Sequence, residues 1–223
     1  MQTWVEQRSA YDAQAINARI ADITDKPQRI APLTQEEMDA DARALIARLG
    51  ASVGAESEEH VTDYFRTMIK HPQLFRCQLE FGTALFQGKL PARERELAIL
   101  RIGWLLRAPY EWGAHLDVGR RCGVTEDEIE RLIRGSAAPG WSEHDAAILR
   151  AVEQLLVDQS ICDDTWATLA SRWSEQQLIE FTIVVGQYVS NAYVQNTLRM
   201  RLGEQNPGFS LLQKSEAGHR NPD

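Results

Sequence analysis

The stretch RERELAILRIGWLLRAPYEWGAHLDVGRRCGV, Arg93 to Val124, decides how the rest of the chain is read. Leu97, Leu100, Trp104 and Leu105 recur at the spacing of one helical face. Pro109 then stops that helix and starts a second one, which runs to about Arg121. The second helix carries Tyr110, Glu111, Trp112 and His115. Glu111 and His115 stand one turn apart on one face, an arrangement that sets a carboxylate beside an imidazole. Pro109 also puts Glu111 in the first turn, where free N–H groups and the helix dipole favour negative charge.

Outward from this window the helix signals repeat. Thr34 with Glu37 reads as a capping box ahead of Met38, Ala42, Leu45, Ile46 and Leu49, with Gly50 as the stop and Gly54 in the loop. Val61, Tyr64, Phe65, Met68 and Ile69 form an amphipathic stripe that His71-Pro72 ends, and Pro72 opens a helix to about Gln87. Thr125 with Glu128, Ser142 with Asp145, Asp163 or Asp164, and Ser174 with Gln177 start the later helices, the last of which persists to about Leu202. Strand signals are nearly absent. The fold class is therefore all-α, a compact domain of about eight helices.

Residues 1–30 read as a weakly helical arm, on the domain or on a neighbouring subunit; 31–203 read as the domain, and 204–223 as a polar, disordered tail. Gln187, Asn191 and Gln195 form an amide stripe one turn apart on the last helix, expected at a subunit interface rather than on a pocket floor. Trp4, Trp141, Trp166 and Trp173 suit the same kind of contact.

Composition narrows the function classes. The 223 residues are 43% hydrophobic and 25% charged, an ordinary globular balance. With 24 basic against 32 acidic residues the net charge is −8, so nucleic acid is not an expected partner. The most apolar stretch, Leu178 to Val189, is too short and too polar for a membrane span, and MQTWVEQRSAYDAQ at the start has no apolar run behind a basic segment, so no signal peptide is expected. A cytoplasmic location is expected. Cys77, Cys122 and Cys162 are too scattered for a disulfide framework or zinc knuckle and read as reduced, buried thiols.

Taken by type and spacing alone, Glu96, Glu111 and His115 leave function open. A first-turn glutamate is ordinary, Glu96 falls in charge typical of a solvated helix start, and Glu–His pairs are common on helix surfaces. The window nevertheless resembles the signature of the carboxymuconolactone decarboxylase and alkylhydroperoxidase-D superfamily. There a glutamate in an RELAIL-like context precedes a turn and a Cys-x-x-Cys-x-x-x-His element. The similarity extends from about Ile30 to Leu202 and includes GVTEDEIERL after the histidine helix. It sets the family glutamate on Glu96 and the histidine on His115, and the two cysteines on Ala108 and Glu111. Peroxidase turnover needs a low-pKa thiolate and a resolving thiol, and neither alanine nor glutamate supplies one.

The resemblance thus implies the cysteine-free, decarboxylase-like branch: an acid/base enzyme for a small carboxylated or lactone-like molecule, without metal or cofactor, built as a homo-oligomer. His115 would move the proton, Glu96 would orient it or set its pKa, and Glu111 would act as a second acid/base group. Tyr110 and Trp112 are the candidate substrate walls, and Arg95, Arg101 or Arg107 could hold a carboxylate. Three alternatives stand beside this: a metal site on Glu96, Glu111 and His115, an inert helical scaffold, and a lone-thiol role for Cys122. One geometric difficulty is plain. In a simple hairpin about Arg107 to Pro109, Glu96 lies ~16 Å from the turn and His115 ~9 Å, so strict antiparallel packing sets them over a turn apart.

Overall fold

Most of the helices begin where a polar side chain accepts from a free backbone N–H. The computed structural model describes residues 4–10, 12–45 and 62–209, and every regular element among them is a helix. In chain order these are α1 (Trp4–Ser9), α2 (Ala13–Thr24), α3 (40–45), α4 (Asp63–Met68), α5 (Pro72–Phe86) and α6 (Ala92–Leu105). Then follow α7 (Pro109–Arg121), α8 (Glu126–Arg134), α9 (Glu143–Asp158), α10 (Asp163–Ala170) and α11 (Glu175–Leu198). The expected capping boxes at Thr125/Glu128 and Ser174/Gln177 are both closed, and Ser142 caps α9. None of the described helices is long and apolar enough to cross a membrane.

Two start signals shift. Thr34 and Glu37 exchange their capping hydrogen bonds, yet they close a turn at 35–37. The helix starts at 40, where the Asp39 carboxylate accepts from the Ala42 amide at 2.7 Å. Its expected continuation through Ile46 and Leu49, the stop at Gly50, and Gly54 and Val61 lie outside the described residues. At α10 the cap position belongs to Cys162, and Asp163 and Asp164 sit in the first turn instead.

Helix α6 is the axis of the molecule. Eleven of its residues, Arg95 to Leu105, are buried, so it has no solvent face. Three of those eleven are charged, and each is matched. Arg101 is fully buried; its guanidinium donates to Glu153 of α9 (3.0 Å) and to the Leu132 and Ile133 carbonyls (2.7 and 2.9 Å) near the end of α8. It also donates to Ser9 at the end of α1. Gly135 makes room for it, since a Cβ there would stand 2.2 Å from the Arg101 guanidinium. Arg101 is a clamp between helices, not a substrate-binding arginine.

The turn from α6 into α7 closes in the left-handed manner. Arg107 (φ 50°) takes the strained position, and the Arg107 and Ala108 amides donate to the Trp104 and Gly103 carbonyls at 3.1 and 2.9 Å. The Arg107 guanidinium is buried over Trp104 and donates to the Ala10 carbonyl, away from the Glu96–His115 region. Gly103 lets α7 approach, because a Cβ there would lie 3.2 Å from the Trp112 nitrogen. This close crossing of α6 and α7 is what resolves the hairpin difficulty.

Residues 13–24 and 204–209 pack into the fold, whereas the rest of the expected polar tail, 210–223, lies outside the described residues. Ile16 and Ile23 of α2 are buried, and the Arg201 guanidinium donates to the Ile23, Thr24 and Lys26 carbonyls. The arm therefore packs on the domain of its own chain. Residues 204–209 are not a free tail. Phe209 is 1% exposed and packs with Trp104 and Trp112, the three ring centroids 5.6 to 5.9 Å apart. Trp173 is likewise a core residue rather than an interface one. Composition misses Phe209 because one aromatic in a polar stretch leaves no periodic signal. Phe209→Ala is expected to destabilise the protein by ~3 kcal/mol, the cost of emptying a large aromatic site. Urea unfolding midpoints check it, and a loss near zero contradicts the packing role.

Candidate active site

Glu96 is carried on the buried helix α6 and is fully excluded from solvent. A desolvated carboxylate is costly unless it is paired, and Glu96 has two cationic partners. Its Oε2 lies 2.7 Å from His115 Nδ1, and its Oε1 accepts from Arg95 Nε at 3.2 Å. Arg95 is buried too, donating to the Phe86 carbonyl and stacking on the Phe86 ring. The expectation of a solvated helix start at Glu96 is thus reversed, and Arg95 is committed to Glu96 rather than to a substrate.

On α7 the first-turn placement of Glu111 holds. Its Oε1 stands 3.3 Å from His115 Nε2, while Oε2 accepts from the Gln195 side-chain amide of α11. His115 is therefore held at both ring nitrogens by carboxylates from two helices. Gln195 is 4% exposed and faces inward, so this member of the amide stripe belongs to the site and not to an interface. Asn191 and Gln187 bond to each other, and Asn191 also accepts from Gln78 of α5, which donates to the Tyr64 hydroxyl.

Tyrosines close the remaining sides. Tyr188 of α11 meets the His115 ring edge-on, centroids 5.1 Å apart at 87°. Tyr64 and Tyr110 pack together with centroids at 5.8 Å. Burial, together with the charge of Glu111, raises all three phenols; Tyr110 is pushed up to about 12. Tyr110 thus stands beside Glu111 as expected. Trp112 does not: it is fully buried between Trp104 and Phe209, and it is a core residue rather than a substrate wall. Tyr64 and Tyr188 escaped the sequence reading because a tyrosine at helical spacing reads as core, and only the crossing of α11 with α7 aims Tyr188 at the histidine.

Electrostatics fix the resting state. Burial opposes an imidazolium, but the Glu96 charge and the hydrogen bonds from Glu111 and Glu96 outweigh it and push His115 up to about 10. At neutral pH the ring carries both protons and donates to both carboxylates. It is an acid before it can be a base. No cluster of three or more His, Cys, Asp or Glu residues suited to a metal ion occurs among the described residues.

The thiols are placed differently from expectation. Cys77 and Cys162 are exposed and Cys122 is half-buried, so none is a core residue. Burial and the Glu96 charge raise Cys122, the opposite of what a peroxidatic thiolate needs.

Because the folded value of His115 lies above its ordinary 6.5, its stabilising pairing is complete below about pH 6.5 and is lost as pH rises through about 10. Imidazole NMR titration is expected to find His115 still protonated at pH 8. Glu96→Gln is expected to lower its midpoint by more than ~1 unit, since one unit is ~1.4 kcal/mol of charge interaction. A wild-type midpoint near 6.5 would contradict the clamp.

Comparison with known proteins accords with this geometry. Residues 72–154, which include Glu96, Glu111 and His115, match the model of the carboxymuconolactone decarboxylase family. Among solved structures the chain is similar to a peroxidase-related protein with the alkylhydroperoxidase AhpD core from Ralstonia eutropha JMP134, at 16% identity and TM-score 0.66 over 80% of this chain and 95% of that one. A peroxidase-related protein from Silicibacter sp. TM1040 gives 14% identity and TM-score 0.67 over 82% and 97%. A debrominase in complex with 2,3,4-tribromopyrrole gives 14% and 0.66 over 84% and 97%. No curated protein matches the chain. These likenesses show a shared all-helical fold, and residues 72–154, which carry the candidate site, match the carboxymuconolactone decarboxylase family model.

Proposed function

We propose that the protein is a non-redox acid/base enzyme of carboxymuconolactone decarboxylase type, acting on a small carboxylated or lactone-like molecule through its own side chains. The observation that carries this reading is the His115 imidazolium held between Glu96 and Glu111 inside a tyrosine-lined, desolvated site. An imidazolium that keeps its proton at neutral pH is a positioned donor for a strongly basic carbanionic centre, and a carboxylate one hydrogen bond away holds that proton in line.

The roles divide accordingly. Glu96, fully buried and pinned by Arg95, orients His115 and keeps it charged. His115 Nε2 is the donor. Glu111 accepts the hydrogen bond of that proton and so aims it, Gln195 positions Glu111, and a proton from solvent restores the imidazolium after each turnover. For a carboxylated substrate the step is loss of CO2. The C–C bond electrons pass into the substrate's conjugated system, and the proton from Nε2 lands on carbon. Exclusion of water favours that step, because a carboxylate leaves water at a cost that its departure as neutral CO2 relieves.

A second reading has one observation in its favour. The His115 side chain is only 12% exposed, and Glu96 and Glu111 less, so little of the triad is open to a ligand. A cavity of about 560 Å³ lies elsewhere, between residues 33–45 and the start of α5. A closed triad fits a helical scaffold that has lost its chemistry.

Turnover of a screen of small carboxylated lactones separates the two. His115→Gln is expected to lower kcat at least ~100-fold, the usual contribution of a positioned acid, and Glu111→Gln comparably. Cys122→Ser is expected to change nothing. Full activity in His115→Gln ends the acid/base reading, and peroxide consumption that depends on Cys122 ends the non-redox one.

A further inference from the structure

We infer that the turn between α6 and α7 holds a site for a small oxyanion of the phosphate type, which bridges Arg107 of the turn to Arg8 of α1. Arg107 breaks two local rules at once. It stands in the left-handed region (φ 50°), at a helix end where glycine is the ordinary choice because a side chain there is strained. It also carries a charge into the interior, with 3% of its surface exposed. Two rules broken by one residue point to chemistry rather than packing.

The fold makes little use of this guanidinium. Its Nη2 donates to the Ala10 carbonyl at 3.3 Å, and its Cζ lies 4.9 Å from the centroid of the Trp104 ring. Nε and Nη1 are sealed from water and have no hydrogen-bond partner, so most of its N–H donors are unused. Among the described residues no other arginine has two such nitrogens. Arg101, buried as deeply, commits its donors to Glu153, Ser9 and two carbonyls.

The surrounding charge is positive. Burial, and then the charge of Arg8, pulls Arg107 below the usual arginine range; Asp12 works against this and Arg101 adds to it. Arg101 is already matched by Glu153, at 2.7 Å. Asp12 is exposed, and its carboxylate accepts from the Ala15 amide at the start of α2. Among the described residues neither Arg8 nor Arg107 is in an ion pair. A chain of net charge −8 thus holds two unmatched guanidinium groups within range of each other's charge. One oxyanion between them turns that repulsion into attraction, and a tetrahedral phosphate has acceptor oxygens for both forks.

Entry lies through α1. None of its residues is buried, and its end rests on the two buried cations, Ser9 on Arg101 and Ala10 on Arg107. A helix with no buried residue can shift to admit the anion and then be fastened by it through Arg8. The site stands apart from His115 and its two carboxylates, and its occupancy requires no activity there.

Isothermal titration of the full chain with inorganic phosphate, at constant ionic strength and with chloride as the control anion, tests it. Saturable binding of a single phosphate per chain is expected, with a higher thermal midpoint. Arg107→Gly keeps the left-handed turn and is expected to weaken the binding at least ~10-fold, the loss of a charge-assisted fork. Arg8→Gln, on a helix with no buried residue, is expected to weaken it as well. Asp12→Asn, which keeps its capping oxygen and loses its charge, is expected to strengthen it. Acetate is expected to bind more weakly than phosphate, since a planar carboxylate serves one fork at a time. Hydrogen exchange at amides 4–10 is expected to slow when phosphate is bound, while the amides of α10 stay unchanged. No saturable binding above the chloride control, undiminished binding in Arg107→Gly and Arg8→Gln, weaker binding in Asp12→Asn, or unchanged exchange over 4–10 would each overturn the proposal.

Discussion

A carboxylate with no access to water cannot stay ionised without cations beside it, and Glu96 is such a carboxylate. Its position on α6, the helix without a solvent face, makes its pairing a condition of folding and not an ornament. Arg95 supplies one cation from the same helix. His115 supplies the other from α7, and this second pairing makes the imidazole an acid. The stability of the core and the chemistry of the site are in this sense one interaction. The charge that α6 buries is the charge that raises His115.

The rest of the architecture serves to hold α7 at the right height on α6. The left-handed turn at Arg107, the bare Cα of Gly103 and the Trp104–Trp112–Phe209 cluster all fix the same crossing. From the far side, the Arg101 clamp ties α6 to α1, α8 and α9. Helix α11 lies across both α6 and α7, so one long helix can deliver Tyr188 to the histidine and Gln195 to Glu111.

The carboxylate at position 111 has a plain electrostatic consequence. A thiol pair beside an imidazolium is a redox centre, whereas a carboxylate there stabilises the imidazolium and lies where it can exchange a proton with it. The half-buried Cys122 is not poised as a thiolate, because partial burial and the nearby Glu96 charge both oppose its ionisation.

The sequence by itself determined the helical class, most helix starts, and the residues at the centre of the site. These are local matters: capping depends on side chains three residues apart, and Glu111 reaches His115 because one helical turn puts them together. It could not tell that Glu96 meets His115, because nineteen residues and a proline turn lie between them and only the closeness of the crossing decides. Nor could it separate Tyr188 from a core tyrosine, Gln195 from a surface amide, Trp112 from a pocket wall, or Phe209 from a polar tail. Those residues are assigned by what lies opposite them on another helix. Burial and charge pairing are properties of the packed molecule, and they alone decide whether a glutamate is solvated or sealed in beside a histidine.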